Sequence, residues 1–184
     1  DNRGSRSTDS GGNNSNDSST VTSIGVEAVN NQPTEFTESV FANYTPQRLK
    51  IQGAQPHPGT LVQSAAMAAV EPPTPTYQPT LPSKVINEGL LSLAQLEAVV
   101  YAGQAHEQVQ PNGARKGFFI GDGTGVGKGR EISGVILDNQ MKGRTKAVWI
   151  SFNEGLLADA KRDFAGVGGD PDLIFLQGKT KASA

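Results

Sequence analysis

Apolar and polar positions divide the chain into three stretches. Residues 1–20 contain only Ser, Asn, Gly, Asp, Thr and Arg. No side chain there can join a hydrophobic core, and such a stretch does not offset the entropy of ordering. A disordered polar linker is therefore predicted over residues 1–31. From Gln32 to Pro82 the chain carries nine of its 11 prolines, interspersed with Phe41, Tyr44, Leu49, Ile51 and Leu61. Two readings stay open for this stretch: a flexible spacer, or an extended arm packed on the downstream domain. The interspersed aromatic and aliphatic residues favour packing, since a spacer has no use for them. A short helix is expected within Val62–Val70.

From residue 83 the pattern becomes that of a folded domain. Ser92 is placed to cap a helix running to about Glu107, with Leu93, Leu96, Val99, Val100 and Ala102 on one broad face. A turn at Pro111-Asn112-Gly113 precedes the apolar run Gly117-Phe118-Phe119-Ile120, which reads as a buried strand. A glycine-rich loop comes next, then a helix over Lys128–Met141 with Ile132, Val135 and Ile136 inward. Ala147–Ile150 reads as a second strand, and Glu154–Phe164 as a helix with Leu156, Leu157, Ala160 and Phe164 on one side. Gly168-Gly169-Asp170-Pro171 reads as a turn, and Leu173–Leu176 as a third strand. Strand–helix–strand–helix–strand predicts an α/β fold with a parallel sheet and right-handed crossovers.

Composition narrows the function. The 184 residues include 16 Lys+Arg and 18 Asp+Glu, for a net charge of -2, which excludes a wholly basic nucleic-acid binder. There is no Cys, so no disulfide framework and no Cys-ligated zinc or iron–sulfur site. Two histidines, His57 and His106, are too few for a His-rich metal site. No apolar run is long enough to span a membrane, and the N-terminus has no signal-peptide core.

The chemistry concentrates in Gly121–Arg130, between a predicted strand and a predicted helix. Glycines let the backbone turn tightly and aim N–H groups inward, and the helix N-terminus adds partial positive charge. Lys128 is placed to reach β- and γ-phosphate oxygens. The fit to G-x-x-x-x-G-K-[ST] departs at both ends: Asp122 stands at the first glycine position, and Gly129 where a Ser/Thr hydroxyl normally helps hold Mg²⁺. The dinucleotide pattern G-x-G-x-x-G fails in each register tried. Over Arg115–Lys146 seven basic residues face three acidic ones, either as a phosphate-seeking face or as ordinary solvated surface.

Both departures point the same way. The run from Gly117 to Arg130 resembles the nucleotide loop of the Strawberry notch family, helicase-like ATPases of superfamily two. The Asp-for-Gly start is also similar to the loop of Swi/Snf-type remodellers. Pro56-His57-Pro58, Ser64–Ala68, Pro75-Thr76-Tyr77, Leu81-Pro82 and Leu90–Val99 resemble the approach segment of bacterial members, and Lys146–Ser151 the second helicase motif. The resemblance covers about Phe41 to Leu176 and favours the packed arm.

It implies a partial RecA-like P-loop domain over residues 83–184, preceded by the Pro-rich arm over 32–82. It implies ATP and Mg²⁺ as cofactors, Lys128 as the catalytic residue, and a nucleotide site of Gln95, Asp122, Gly123, Thr124, Gly125, Val126, Gly127, Lys128, Gly129 and Arg130. Gln95 has two readings: it reads adenine, or it completes a capping box with Ser92. Ser151 is placed to meet a nucleic-acid backbone, or simply ends a strand. Without a hydroxyl at Gly129, Mg²⁺ is left to water, to Thr124 or to acidic residues elsewhere; no residue is assigned as a metal ligand. Asp122 is expected to pair with Lys128 or Arg130 when the site is empty. The acidic pair and the arginines such ATPases need are absent from the chain, and it begins at Asp1, so a piece of a longer protein, inactive in hydrolysis alone, is expected. The expected parent is a cytoplasmic bacterial ATPase acting on nucleic acid, DNA above all, in some relatives with a preceding methyltransferase domain. The competing reading is a non-hydrolysing transcriptional coregulator or nucleotide-binding scaffold. A small-molecule phosphotransferase fits less well, given the long arm and Gln95.

Overall fold

A computed structural model describes residues 40–170. The linker expected over 1–31 and the strand expected at Leu173–Leu176 lie outside the described residues.

From residue 40 the Pro-rich stretch packs against the helices. It opens with β1 (Phe41–Asn43) and β2 (Val62–Ser64), an antiparallel pair in the register Phe41↔Ser64 and Asn43↔Val62. The helix expected within 62–70 is shorter than predicted: β2 takes its first three positions, and α1 spans only Ala65–Ala68, capped by Ser64. Leu49 and Tyr77 enter the core, with Ile51, Ala54 and Leu81 packed against it. Prolines deny this segment regular ladders, so its polar groups find partners on the helices instead.

Helix α2 (Ser83–Asn87) buries Val85 and leads through Gly89, at φ 67°, to the fully buried Leu91. Helix α3 (Leu93–His106) starts at Ser92 as predicted. The Ser92 side chain accepts from the Gln95 N–H, and the Gln95 side chain accepts from the Ser92 N–H. Leu96, Val99, Val100 and Ala102 are buried along it. The backbone of the arm meets its first residue, where Leu93 N donates to Gln55 O at 2.7 Å. At the other end, Val109 and Arg115 bridge across the predicted Pro111–Gly113 turn.

Helix α4 (Lys128–Met141) has its predicted bounds and packs against both α3 and α5 (Gly155–Gly166). Its buried face differs from the prediction. Glu131, Ser133, Gly134, Leu137 and Asp138 are buried, whereas Val135 and Ile136 are only partly so and Ile132 is exposed. Gly134 sets this face: a β-carbon there would lie 2.8 Å from both Leu91 Cδ1 and Val99 Cγ2, so the absent side chain lets α4 close on α3. In α5, Ala160 and Phe164 are buried and Leu157 half-buried, while Leu156 is exposed.

The two predicted parallel strands that fall among the described residues are not formed. Residues 117–120 and 147–150 have no strand hydrogen bonding, and the two-stranded antiparallel β1–β2 pair is the sheet among the described residues. A strand exists only by pairing with a neighbour, and neither segment finds one among the described residues. Several of their apolar side chains stand in solvent, with Phe119 88%, Val148 88% and Ile150 89% exposed, while Ile120 and Trp149 are half-buried. No helix among the described residues is long and apolar enough to cross a membrane.

Candidate nucleotide-binding loop

The loop between residues 121 and 127 owes its course to two glycines with positive φ, Gly125 at 96° and Gly127 at 94°. Gly127 is constrained twice. It is the left-handed N-cap of α4, and a β-carbon on it would lie 2.5 Å from Gln95 Nε2. Its carbonyl accepts from the N–H groups of Arg130 and Glu131, which closes the first turn of the helix. The cap makes no side-chain hydrogen bond, and the first amides of any helix have no intrahelical acceptor. The loop therefore presents N–H groups and the positive end of the helix dipole to whatever binds there.

Lys128 is folded onto its own loop. Its Nζ donates to the carbonyls of Asp122 at 2.8 Å and Gly123 at 3.0 Å. The expected ion pair between Asp122 and either Lys128 or Arg130 is not formed: Lys128 takes main-chain oxygens, and Arg130 donates to the Leu90 carbonyl at 3.4 Å. The strong donors of Lys128 are satisfied by backbone dipoles, which a more highly charged acceptor can displace.

Gln95 does more than either sequence reading allowed. Its Oε1 closes the capping box, and its Nε2 donates to the Val126 carbonyl at 2.8 Å. The same carbonyl faces His57 Nε2 at 3.3 Å. His57 Nδ1 faces both the Gly59 carbonyl at 3.0 Å and the Gly59 N–H at 3.1 Å, and Nε2 donates to Val126 in the tautomer whose Nδ1 accepts from Gly59. Helix α3 and the Pro-rich arm thus hold the loop at one oxygen. His57 is legible in the sequence only as part of the Pro-His-Pro resemblance, because its partner lies 69 positions away. Beside it, a cleft of about 360 Å³ is lined by Tyr44, His57, Pro58, Leu93 and Ala94.

Three acids not assigned from the sequence surround the loop. Glu131 is wholly buried, and its carboxyl oxygens meet no N–H or hydroxyl donor, so the hydrogen bond open to it is a shared proton with Asp122. Burial first, and then the charge of Asp122, pushes its pKa up to about 8. Glu97, buried on α3, is raised to about 7 by the same two causes and accepts from the Tyr44 hydroxyl. Asp163 of α5 meets the helix at Gly129: a β-carbon there would lie 2.9 Å from its Cγ and would collide with Oδ2. Of the expected site residues, Gln95 and 122–130 therefore come together as one loop with its anchor, while the Arg130 side chain turns away toward Leu90 and α5. Ser151 is exposed, and its hydroxyl donates to Asn153 O at 3.4 Å.

A family profile described as P-loop containing NTP hydrolase pore-1 matches residues 56–184. The Drosophila melanogaster protein strawberry notch is 48% identical over 128 residues, 70% of this chain and 8% of that protein. The human strawberry notch homolog 2 is 50% identical over 123 residues, 67% of this chain and 9% of that protein. The Arabidopsis thaliana protein FORGETTER 1 is 45% identical over 128 residues, 70% of this chain and 10% of that protein. The chain spans about a tenth of the length of the curated relatives it matches. No solved structure matches it.

Proposed function

Because the chain belongs to the P-loop NTP hydrolase pore-1 family and is homologous to the Strawberry notch proteins, we propose that it binds ATP with Mg²⁺ through residues 122–130. In this reading it is the nucleotide-binding part of a helicase-like ATPase acting on nucleic acid. The observation that carries it is the Gly125–Gly127 turn, which sets Lys128 and the first amides of α4 side by side.

The chemistry arises from the loop. On binding, Lys128 exchanges the carbonyls of Asp122 and Gly123 for phosphate oxygens, and the exposed loop glycines let the phosphates approach the backbone closely. Gln95 and His57, by holding Val126, keep the loop in one conformation before ligand arrives. The cleft beside His57 has the size and the mixed apolar and polar lining that a nucleobase takes. Adenine recognition by Gln95 requires its Nε2 to leave Val126. Mg²⁺, when bound, neutralises charge on the transferring phosphate. Gly129 brings it no hydroxyl, and Thr124 is the one side-chain hydroxyl of the loop.

The apolar segments 117–120 and 147–150 are read as strands of a RecA-like parallel sheet that forms once they have paired neighbours. The basic stretch Arg115–Lys146 supports the nucleic-acid partner. The deciding assay is ATP hydrolysis by the protein, with and without single-stranded DNA. Stimulated turnover abolished by Lys128→Ala supports the motor reading. Lysine-dependent binding without turnover supports the scaffold reading.

A further inference from the structure

The generic phosphate loop ends in Lys-Ser/Thr, and this one ends in Lys128-Gly129. The structure gives a physical reason for the glycine. Helix α5 brings the Asp163 carboxylate into the space that the side chain of residue 129 would otherwise occupy. A β-carbon on Gly129 would sit 2.9 Å from Asp163 Cγ and 3.4 Å from its Cβ, and would collide with Oδ2. The obstacle is one carboxyl group, and a Ser or Thr side chain there would compete with it for the same volume. An oxygen is therefore present beside residue 129, delivered from another helix.

We propose that Asp163 takes the place of the missing Ser/Thr hydroxyl and holds the Mg²⁺ of the bound nucleotide, directly or through one of its waters. The inference rests on the nucleotide-binding reading. Mg²⁺ suits such a site, because it keeps several waters and is commonly held by one or two carboxylates together with substrate phosphates. The Asp163 side chain is 21% exposed, and its Oδ1 accepts from Arg162 at 3.3 Å. The competing role for Asp163 is structural, a carboxylate at the positive end of α4 that stabilises the helix whether or not a metal is bound.

The two roles separate in the Mg²⁺ dependence of binding. Affinity of the 184-residue chain for a non-hydrolysable ATP analogue is measured by calorimetry with Mg²⁺ and with EDTA, for wild type, Asp163→Asn, and the double variant Gly129→Ser/Asp163→Ala. Wild type is expected to bind more tightly with Mg²⁺. In Asp163→Asn that gain should fall by about tenfold, the size of effect seen when a supporting metal partner is lost, while affinity in EDTA holds. The double variant rebuilds the generic Lys-Ser pair in the space Asp163 vacates and should recover the gain. An unchanged gain in Asp163→Asn, or equal losses with Mg²⁺ and with EDTA, would overturn the proposal and leave Asp163 a structural residue. Wild type that binds the analogue equally well with and without Mg²⁺ would overturn it too, leaving the nucleotide reading intact. Wild type that binds in neither condition would overturn both.

Discussion

Where the Pro-rich arm crosses α3 and α4, buried polar groups meet one another. Tyr77 lies with its ring against Gly103 and donates its hydroxyl to Asp138, which also accepts from Thr80 N–H and pairs with Lys142 at 3.3 Å. Lys142 in turn sits 3.9 Å over the Tyr77 ring. On the strand side the opposite holds: Phe119, Val148, Ile150 and Phe152 stand in solvent without a core to enter. The segments differ in what they need. An arm and a pair of helices can bury each other, because each helix satisfies its own backbone. An extended segment can bury its side chains only after its backbone has found a neighbour. The arm is thus an integral part of the fold around the loop, while the strand side is an exposed, partly apolar surface.

Breaking the arm side should cost most. Asp138→Ala leaves the Tyr77 hydroxyl and the Thr80 N–H without their acceptor and takes the carboxylate from Lys142, and leaving buried donors unsatisfied typically costs about 1–3 kcal/mol each. Urea denaturation should show the loss, together with a matching one for Gly103→Ala, whose β-carbon would enter the Tyr77 ring. If both variants kept the wild-type midpoint, the arm would not be part of the folded unit.

The buried acids come next. The pKa values of Glu131 and Glu97 are raised to about 8 and about 7 from 4.5, so the folded chain retains protons that the unfolded chain releases. Their effect on stability is absent below about pH 4.5 and becomes a growing penalty as pH rises toward 8. Glu131→Gln removes the larger share of that penalty. It should be more stable than wild type by on the order of 1–3 kcal/mol at alkaline pH and about equal to it in acid. Urea midpoints at about pH 5 and about pH 8.5 check the sign, and an acid-side gain would reverse the assignment.

Gln95→Ala should be milder. It loses the capping box and the 2.8 Å bond to Val126, worth about 1–2 kcal/mol together. If the amide also reads adenine, the variant should weaken ATP binding more than GTP binding. Equal losses would confine Gln95 to holding the loop. Smallest of all, Phe119→Ser and Ile150→Ser should move stability by less than about 0.5 kcal/mol, because neither side chain is buried. Loss of a hydrophobic-dye signal in these two variants, with midpoints unchanged, would sharpen the contrast. A large destabilisation would show that the strand side is already packed.

Legibility in the sequence divides along the same line. The bounds of α3 and α4 and the Ser92 cap are legible because capping chemistry and helical periodicity are local signals. The loop is legible because Gly125, Gly127 and Lys128 fall at a fixed spacing. The inward face of α4 is not. Ile132 has the chemistry of a core residue, but the helix turns its small and polar side toward α3, and only the closeness of Leu91 and Val99 to Gly134 shows why. Strands at 117–120 and 147–150 are predicted from apolar character alone, which says nothing about whether a neighbour is present to pair with. Long-range partnerships leave no local signal: Asp138 with Tyr77, His57 with Val126, and Asp163 with Gly129. In each, an ordinary-looking residue is given its role by a segment distant in the chain.

Nucleotide binding at Lys128 is the property on which the loop's proposed role depends most directly. Titration of the 184-residue chain with Mg²⁺ and a fluorescent ATP analogue should give saturable binding that unlabelled ATP displaces. Lys128→Ala should abolish that binding without changing the circular dichroism spectrum. No binding by wild type, or equal binding by Lys128→Ala, would contradict it.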